Sequence, residues 1–253
     1  MAVYRSKGIV LRSIRYGEAD RILDLYTRDA GLVSAIAKGI RRTRSRFGAR
    51  LEPLSCVDFV AYHGRTLDTV TQAEVLRSFH SVRENLARFE AAAGMVRSVR
   101  ALSGGDEADR RVFNLLYNAL DALETRKKGF EAAEAAFGLK LSILAGYAPQ
   151  LDACLNCETD LAEEAAGSHY YFAPNLGGVL CPGCRSATSD SFPLPSRTLE
   201  RLHALIEHPI RESPPDGGAL GEGVLRVVRS HILAHAPGNA LLGAHVTGTR
   251  SPA

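Results

Sequence analysis

Residues 9–37 read Ile9-Val10-Leu11-Arg12-Ser13-Ile14-Arg15-Tyr16-Gly17-Glu18-Ala19-Asp20-Arg21-Ile22-Leu23-Asp24-Leu25-Tyr26-Thr27-Arg28-Asp29-Ala30-Gly31-Leu32-Val33-Ser34-Ala35-Ile36-Ala37. Three short runs rich in β-branched residues are separated by Tyr16-Gly17 and by Asp29-Ala30-Gly31, a hairpin-type turn signal, and the third run closes at Gly39. Cys56 to Tyr62 gives a fourth strand, turned by His63-Gly64, and Leu67 to Val75 a fifth. Five short strands at this spacing predict a small antiparallel barrel or sandwich.

Past residue 80 the apolar period changes from two to that of a helix. Leu86, Phe89, Ala93, Val96 and Val99 form one stripe, stopped by Gly104-Gly105. Val112, Leu115, Leu116, Ala119, Leu120 and Leu123 form a second, and Phe130, Ala133, Phe137, Leu141 and Leu144 a third. Three tandem amphipathic helices bury their stripes only against one another, which predicts a bundle. Ser196 is expected to cap a further helix through Leu199, Leu202 and Ile206. After a loop at 214–218, a last helix is expected from about Leu220 to His235, with a frayed tail past Gly248. The class is α+β, in four segments: a barrel over 1–80, helices over 81–150, a four-cysteine module over 151–188, and helices over 189–253 packing on the first set.

Cys154-Leu155-Asn156-Cys157 and Cys181-Pro182-Gly183-Cys184 are two C-x2-C pairs separated by twenty-three residues. Each pair brings two thiolates to one ion across a tight turn, and two pairs complete a tetrahedral shell with no open position. His169-Tyr170-Tyr171-Phe172 between them reads as a strand, and Asn175 to Gly178 as a hairpin turn, a zinc-ribbon layout. The expected cofactor is structural zinc held by Cys154, Cys157, Cys181 and Cys184, stabilising its module by on the order of 10 kcal/mol. Four unrelated buried or reactive cysteines are the plain alternative.

The formal charge of the 253 residues is only +3, but it is divided unevenly. Residues 1–80 hold fourteen Lys or Arg against eight Asp or Glu, and the remainder seventeen against twenty. The positive third points to a polyanion. Its densest stretch is Lys38-Gly39-Ile40-Arg41-Arg42-Thr43-Arg44-Ser45-Arg46-Phe47-Gly48-Ala49-Arg50, with six cations and no acid. The expectation is a phosphate-seeking loop of Lys38, Arg41, Arg42, Arg44, Arg46 and Arg50, with Phe47 as a stacking face and Lys7, Arg12 and Arg15 extending the surface. A solvated loop without function is the bland alternative. Nothing resembles a recognition helix, so sequence-specific reading is not expected.

Catalysis finds no foothold in the motifs. There is no G-x-S-x-G elbow, Walker A loop or G-x-G-x-x-G element. His231 and His235 stand at i, i+4 without the glutamate of a zincin, and read as a surface or capping feature. No apolar run approaches the roughly eighteen residues of a membrane span, and no signal core opens the chain. A non-enzymatic cytoplasmic protein is expected.

Taken in order, Gly8-Ile9-Val10-Leu11, Tyr16-Gly17-Glu18-Ala19-Asp20-Arg21-Ile22-Leu23, Tyr26-Thr27, Gly31-Leu32, Ala37-Lys38-Gly39-Ile40-Arg41-Arg42, Leu51-Glu52-Pro53-Leu54 and Thr71-Gln72-Ala73-Glu74 resemble the RecO family of bacterial DNA repair and recombination mediators. The resemblance spans essentially the whole chain. It implies an N-terminal OB-fold, a helical domain and a zinc module. It also implies binding of single- and double-stranded DNA, strand annealing, and recombinase loading in the RecF pathway onto strands coated by single-strand-binding protein. The implied partners are RecR and the acidic C-terminal tail of single-strand-binding protein, in a cytoplasmic, nucleoid-associated setting. The alternatives are an OB-fold protein-interaction scaffold, or an RNA-binding protein with a structural zinc.

Overall fold

The computed structural model describes residues 2–42, 45, 47, 49–103, 108–161, 169–212 and 222–236. The Gly104-Gly105 stop, the 214–218 loop, Leu220, the tail past Gly248, and Arg44 and Arg46 of the basic segment lie outside these described residues.

Strands β1 (Val3–Tyr16), β2 (Asp20–Thr27), β3 (Gly31–Ala37), β4 (Cys56–Tyr62) and β5 (Asp68–Arg77) close into a barrel in the order β1-β2-β3-β5-β4. All pairings are antiparallel except β3 with β5. This closure decides between the two expected architectures in favour of an OB-like barrel. β1 serves both halves, pairing with β4 through Val3–Ile9 and with β2 through Gly8–Tyr16. The β1–β2 ladder skips Leu11, a bulge. Val10 therefore enters the barrel with Leu23, Leu25 and Phe59, while Ile9 and Leu11 both join the helical core outside it.

Helix α1 (His80–Glu84), which has no periodic signature of its own, leads into α2 (Leu86–Leu102), α3 (Arg110–Thr125) and α4 (Phe130–Leu144). The Asn85 and Asp109 side chains cap α2 and α3 by accepting from the amides of Arg88 and Arg111. α4 is apolar nearly all round and is buried accordingly, packed against α2, α3, α5 (Ser196–Glu207) and α6 (Glu222–His235). Two details depart from expectation. Leu86 and Phe89 start the α2 stripe but are exposed, at 73% and 42%. Ser196 begins α5 rather than capping it; Pro195 holds the cap position, with no side-chain bond.

The cysteine module is built on β6 (His169–Ala173), β7 (Gly178–Leu180) and β8 (Phe192–Pro195), in the order β7-β6-β8, so its sheet runs past residue 188. Its apolar residues Leu151, Tyr170, Phe172, Val179 and Leu194 belong to the same hydrophobic cluster as the helices. The junction with α6 is specific. His231 is only 2% exposed, its Nε2 bonds to the Tyr147 carbonyl at 2.7 Å, and its ring stands edge-on to Phe172. His231 is thus buried in a seam, where a surface or capping feature was expected, while half-buried His235 meets the His231 carbonyl through Nδ1 at 2.9 Å at the end of α6.

Candidate nucleic-acid interface and metal centre

Each cysteine pair is shaped by backbone bonds before any ion enters. Glu158 N–H donates to the Cys154 carbonyl at 2.9 Å and Cys184 N–H to the Cys181 carbonyl at 3.0 Å, which folds the two knuckles. Leu155 N–H bonds the Val179 carbonyl at 2.9 Å and fixes the first knuckle to β7. A tetrahedron of thiolates around zinc, with arms of about 2.3 Å, has edges of about 3.8 Å. Cys157 Sγ and Cys181 Sγ are 3.8 Å apart, and all four sulfurs lie within 4.8 Å of one another. None is in a disulfide. Hydrogen bonds from Thr159 pull Cys157 down to about 6, toward the thiolate that a cation needs. Burial pushes Cys181 up to about 12, a cost that a bound ion's charge would offset. The four predicted ligands are brought together, and a four-sulfur donor set fits a closed, soft-metal site.

The basic segment starts where β3 ends. Gly39 adopts φ +71°, a left-handed value that glycine tolerates, and its N–H donates to Asp20 Oδ1 at 2.7 Å. This pins the segment to the β1–β2 turn. Arg41 N–H bonds the Ala19 carbonyl at 2.9 Å, and its Nη1 reaches the Gly17 carbonyl at 3.3 Å. Lys38, Arg41, Arg42 and Arg50 are exposed. Among the described residues no carboxylate forms an ion pair with Lys38, Arg41 or Arg42. Arg12 is exposed on β1 and leans on Asp24 at 3.9 Å. Lys7 stands nine residues down β1 from Tyr16, about 30 Å along the strand, and is not gathered into this basic end.

Phe47 requires a correction. It is 1% exposed and lies in the barrel interior with Val10, Leu23, Leu51 and Phe59, so it offers no face to a base. The physical reason is volume. Ala35, Ala37 and Ala61 line the same interior and leave room that Phe47 and Leu51 fill from the end. Phe47 and Leu51 thus tie the described part of this stretch into the barrel interior.

Sequence reasoning missed a charged cleft between α2 and α6. It is about 220 Å³, lined by Gly94, Ser98, Ala101, Ile232 and Leu233, with Arg97, Glu134 and Arg229 on its walls. The pairing of Glu134 with Arg229 spans ninety-five residues of sequence, and only the folded packing reveals it.

An OB-like barrel with a basic end, joined to a helical unit carrying a four-thiolate centre, defines a class of two-part proteins with a metal-capable module. The comparisons make the assignment specific. Residues 1–79 match the family described as "Recombination protein O N terminal" and residues 83–236 "Recombination protein O C terminal". The chain is 65% identical over 243 residues, 96% of both chains, to a DNA repair protein RecO of Rubrobacter xylanophilus. It is 41% identical to one of a Nocardioides species, over 81% of this chain and 82% of that one, and 35% identical to one of Symbiobacterium thermophilum, over 92% of both. The chain belongs to the RecO family of DNA repair proteins. No helix among the described residues is long and apolar enough to cross a membrane.

Proposed function

We propose that the protein is a non-catalytic mediator of homologous recombination that acts in the cytoplasm on nucleoid DNA. It binds single- and double-stranded DNA, anneals complementary strands, and helps to load recombinase onto strands coated by single-strand-binding protein. One observation carries the DNA-binding part: Lys38, Arg41 and Arg42 are exposed on the barrel end with no carboxylate partner among the described residues. Arg44, Arg46 and Arg50 continue the same run of sequence, and Arg12 stands on β1, separated from β3 by β2. Such a surface contacts phosphates and is largely blind to sequence.

The metal is zinc and its role structural, because four thiolates fill a tetrahedron and leave no position for water or substrate. The family extends the reading to two protein partners, RecR and the acidic tail of single-strand-binding protein. For the tail, the α2–α6 cleft supplies Ala101, Ile232 and Leu233 beside the Arg97 guanidinium and the Glu134–Arg229 pair. A partner bearing carboxylates beside apolar side chains is complementary to it.

The test is annealing of complementary strands precoated with single-strand-binding protein. The reading expects faster annealing with the wild-type chain, and a loss of that gain when the coating protein lacks its C-terminal tail. No acceleration on coated strands would overturn the mediator role.

A further inference from the structure

Between the two cores, the outer face of β1, β2 and β3 carries a row of side chains that neither core uses. Register sets Ile14 opposite Ile22, and Ile22 opposite Ile36. These three isoleucines belong to neither hydrophobic cluster; Ile14 is 37% exposed, and Ile22 and Ile36 are half-buried. Two residues along β1, Tyr16 is 54% exposed and pairs in register with Asp20. Scattered exposed apolar residues are ordinary. Three cross-strand neighbours and, two residues on, an open aromatic ring share one face of the sheet, an arrangement that suits an occupant.

The surroundings of the patch define that occupant. Tyr16 precedes Gly17, whose carbonyl receives the Arg41 guanidinium at 3.3 Å. Asp20, opposite Tyr16, is tied to the amide of Gly39, the residue after Lys38. The tyrosine therefore stands at the end of the barrel that carries Arg41 and Lys38. On the other side of the isoleucine row, Arg12 and Asp24 face each other in register, and Ser34 donates to Asp24 at 2.9 Å. An apolar floor and an exposed aromatic next to phosphate-binding cations are the chemistry of unpaired nucleotides, whose bases are free to leave their own stack. Duplex DNA keeps its bases inside and offers only phosphates to the same cations.

We propose that Tyr16, with Ile14, Ile22 and Ile36, is a base-stacking platform by which the protein prefers unpaired DNA over duplex. The proposal rests on the DNA-binding reading above and assigns to Tyr16 the stacking that buried Phe47 does not supply. The cations give affinity for any strand; the platform adds affinity only where a base is available to stack.

The test uses the full chain and three probes of about twenty nucleotides: an oligothymidylate, an abasic strand of equal charge, and a duplex. The wild type is expected to bind oligothymidylate about ten-fold tighter than the abasic strand. Tyr16→Ala should lose that preference while keeping its affinity for the abasic strand, and Tyr16→Phe should keep most of it. Equal wild-type binding of thymidylate and abasic strands overturns the platform. So does an undiminished preference in Tyr16→Ala, or a Tyr16→Ala effect confined to self-association in sedimentation. In all three results salt-sensitive binding would persist and the DNA-binding reading would stand. Absence of binding to every probe at low salt overturns that reading itself.

Discussion

Glu134 on α4 and Arg229 on α6 form a bidentate pair, with Arg229 Nε and Nη2 donating to Oε1 at 3.0 and 2.8 Å and Nη2 also reaching Oε2 at 3.1 Å. Glu134 is buried, and Arg229 keeps about half its side chain in solvent. Burial pushes the Glu134 carboxyl up, and the guanidinium opposes it. Gly94 of α2 lies so close that a Cβ there would stand 2.1 Å from Glu134 Oε1.

That closeness sets the sign of one substitution. Gly94→Ala gains about 1 kcal/mol of helix propensity. It also forces the buried Glu134 carboxylate out of position against its guanidinium partner, an overpacking cost of roughly 1–3 kcal/mol. The clash is expected to win, lowering urea stability by about 1–2 kcal/mol. Gly94→Ala combined with Glu134→Ala should be less than additive, and additive losses would show that the two residues do not interact.

His231 makes the seam between α6 and the cysteine module sensitive to acid. Its Nε2 is bonded to Tyr147, its Nδ1 is buried with no hydrogen-bond partner among the described residues, and burial lowers its pKa below 6.5. The neighbouring His235 ring pushes the same way. Because the unfolded chain binds that proton more readily, the contribution is complete above about 6.5 and is lost as pH falls from there through the folded value. Gln at 231 can still donate to Tyr147 but does not titrate. Wild type should therefore lose more stability than His231→Gln between neutral pH and pH about 5, measured by urea melts at both pH values. Parallel losses would refute the assignment.

Removal of the metal should act through the same seam. Phe172 belongs to the cluster shared by the module and the helices, so an ion held by the four cysteines would support more than its own knuckles. Thiol titration of the native protein should release one zinc per chain, and Cys154→Ser should abolish that release. Hydrogen exchange should then rise first in β6, β7 and β8 and next in α6, while the barrel stays protected. Uniform loosening of the whole chain would contradict this order.

The legible and illegible parts of the fold divide along physical lines. Strand β4 and the cysteine ligands were readable because their signals are local: alternation within Cys56–Tyr62, and thiols with two residues between them on a tight turn. Phe47 was misread because its neighbours in sequence include cations, whereas it clusters in space with apolar barrel residues such as Val10, Leu23 and Phe59. Likewise Ile14, Ile22 and Ile36 read only as strand formers, and their common face appears once register is known. The parallel closure of β3 on β5, the Leu11 bulge and the Glu134–Arg229 pair depend on partners distant in sequence.

The central claim is that Arg41 and Arg42 on the barrel end hold DNA by its phosphates. The most direct measurement is the affinity of the full chain for a single strand as a function of salt, for wild type and for Arg41→Glu combined with Arg42→Glu. Two lost contacts should weaken binding at low salt by well over ten-fold and make the log–log salt slope shallower by about 1.4. An unchanged slope and affinity in the reversed variant would contradict the account and move the DNA contact away from the barrel's basic end.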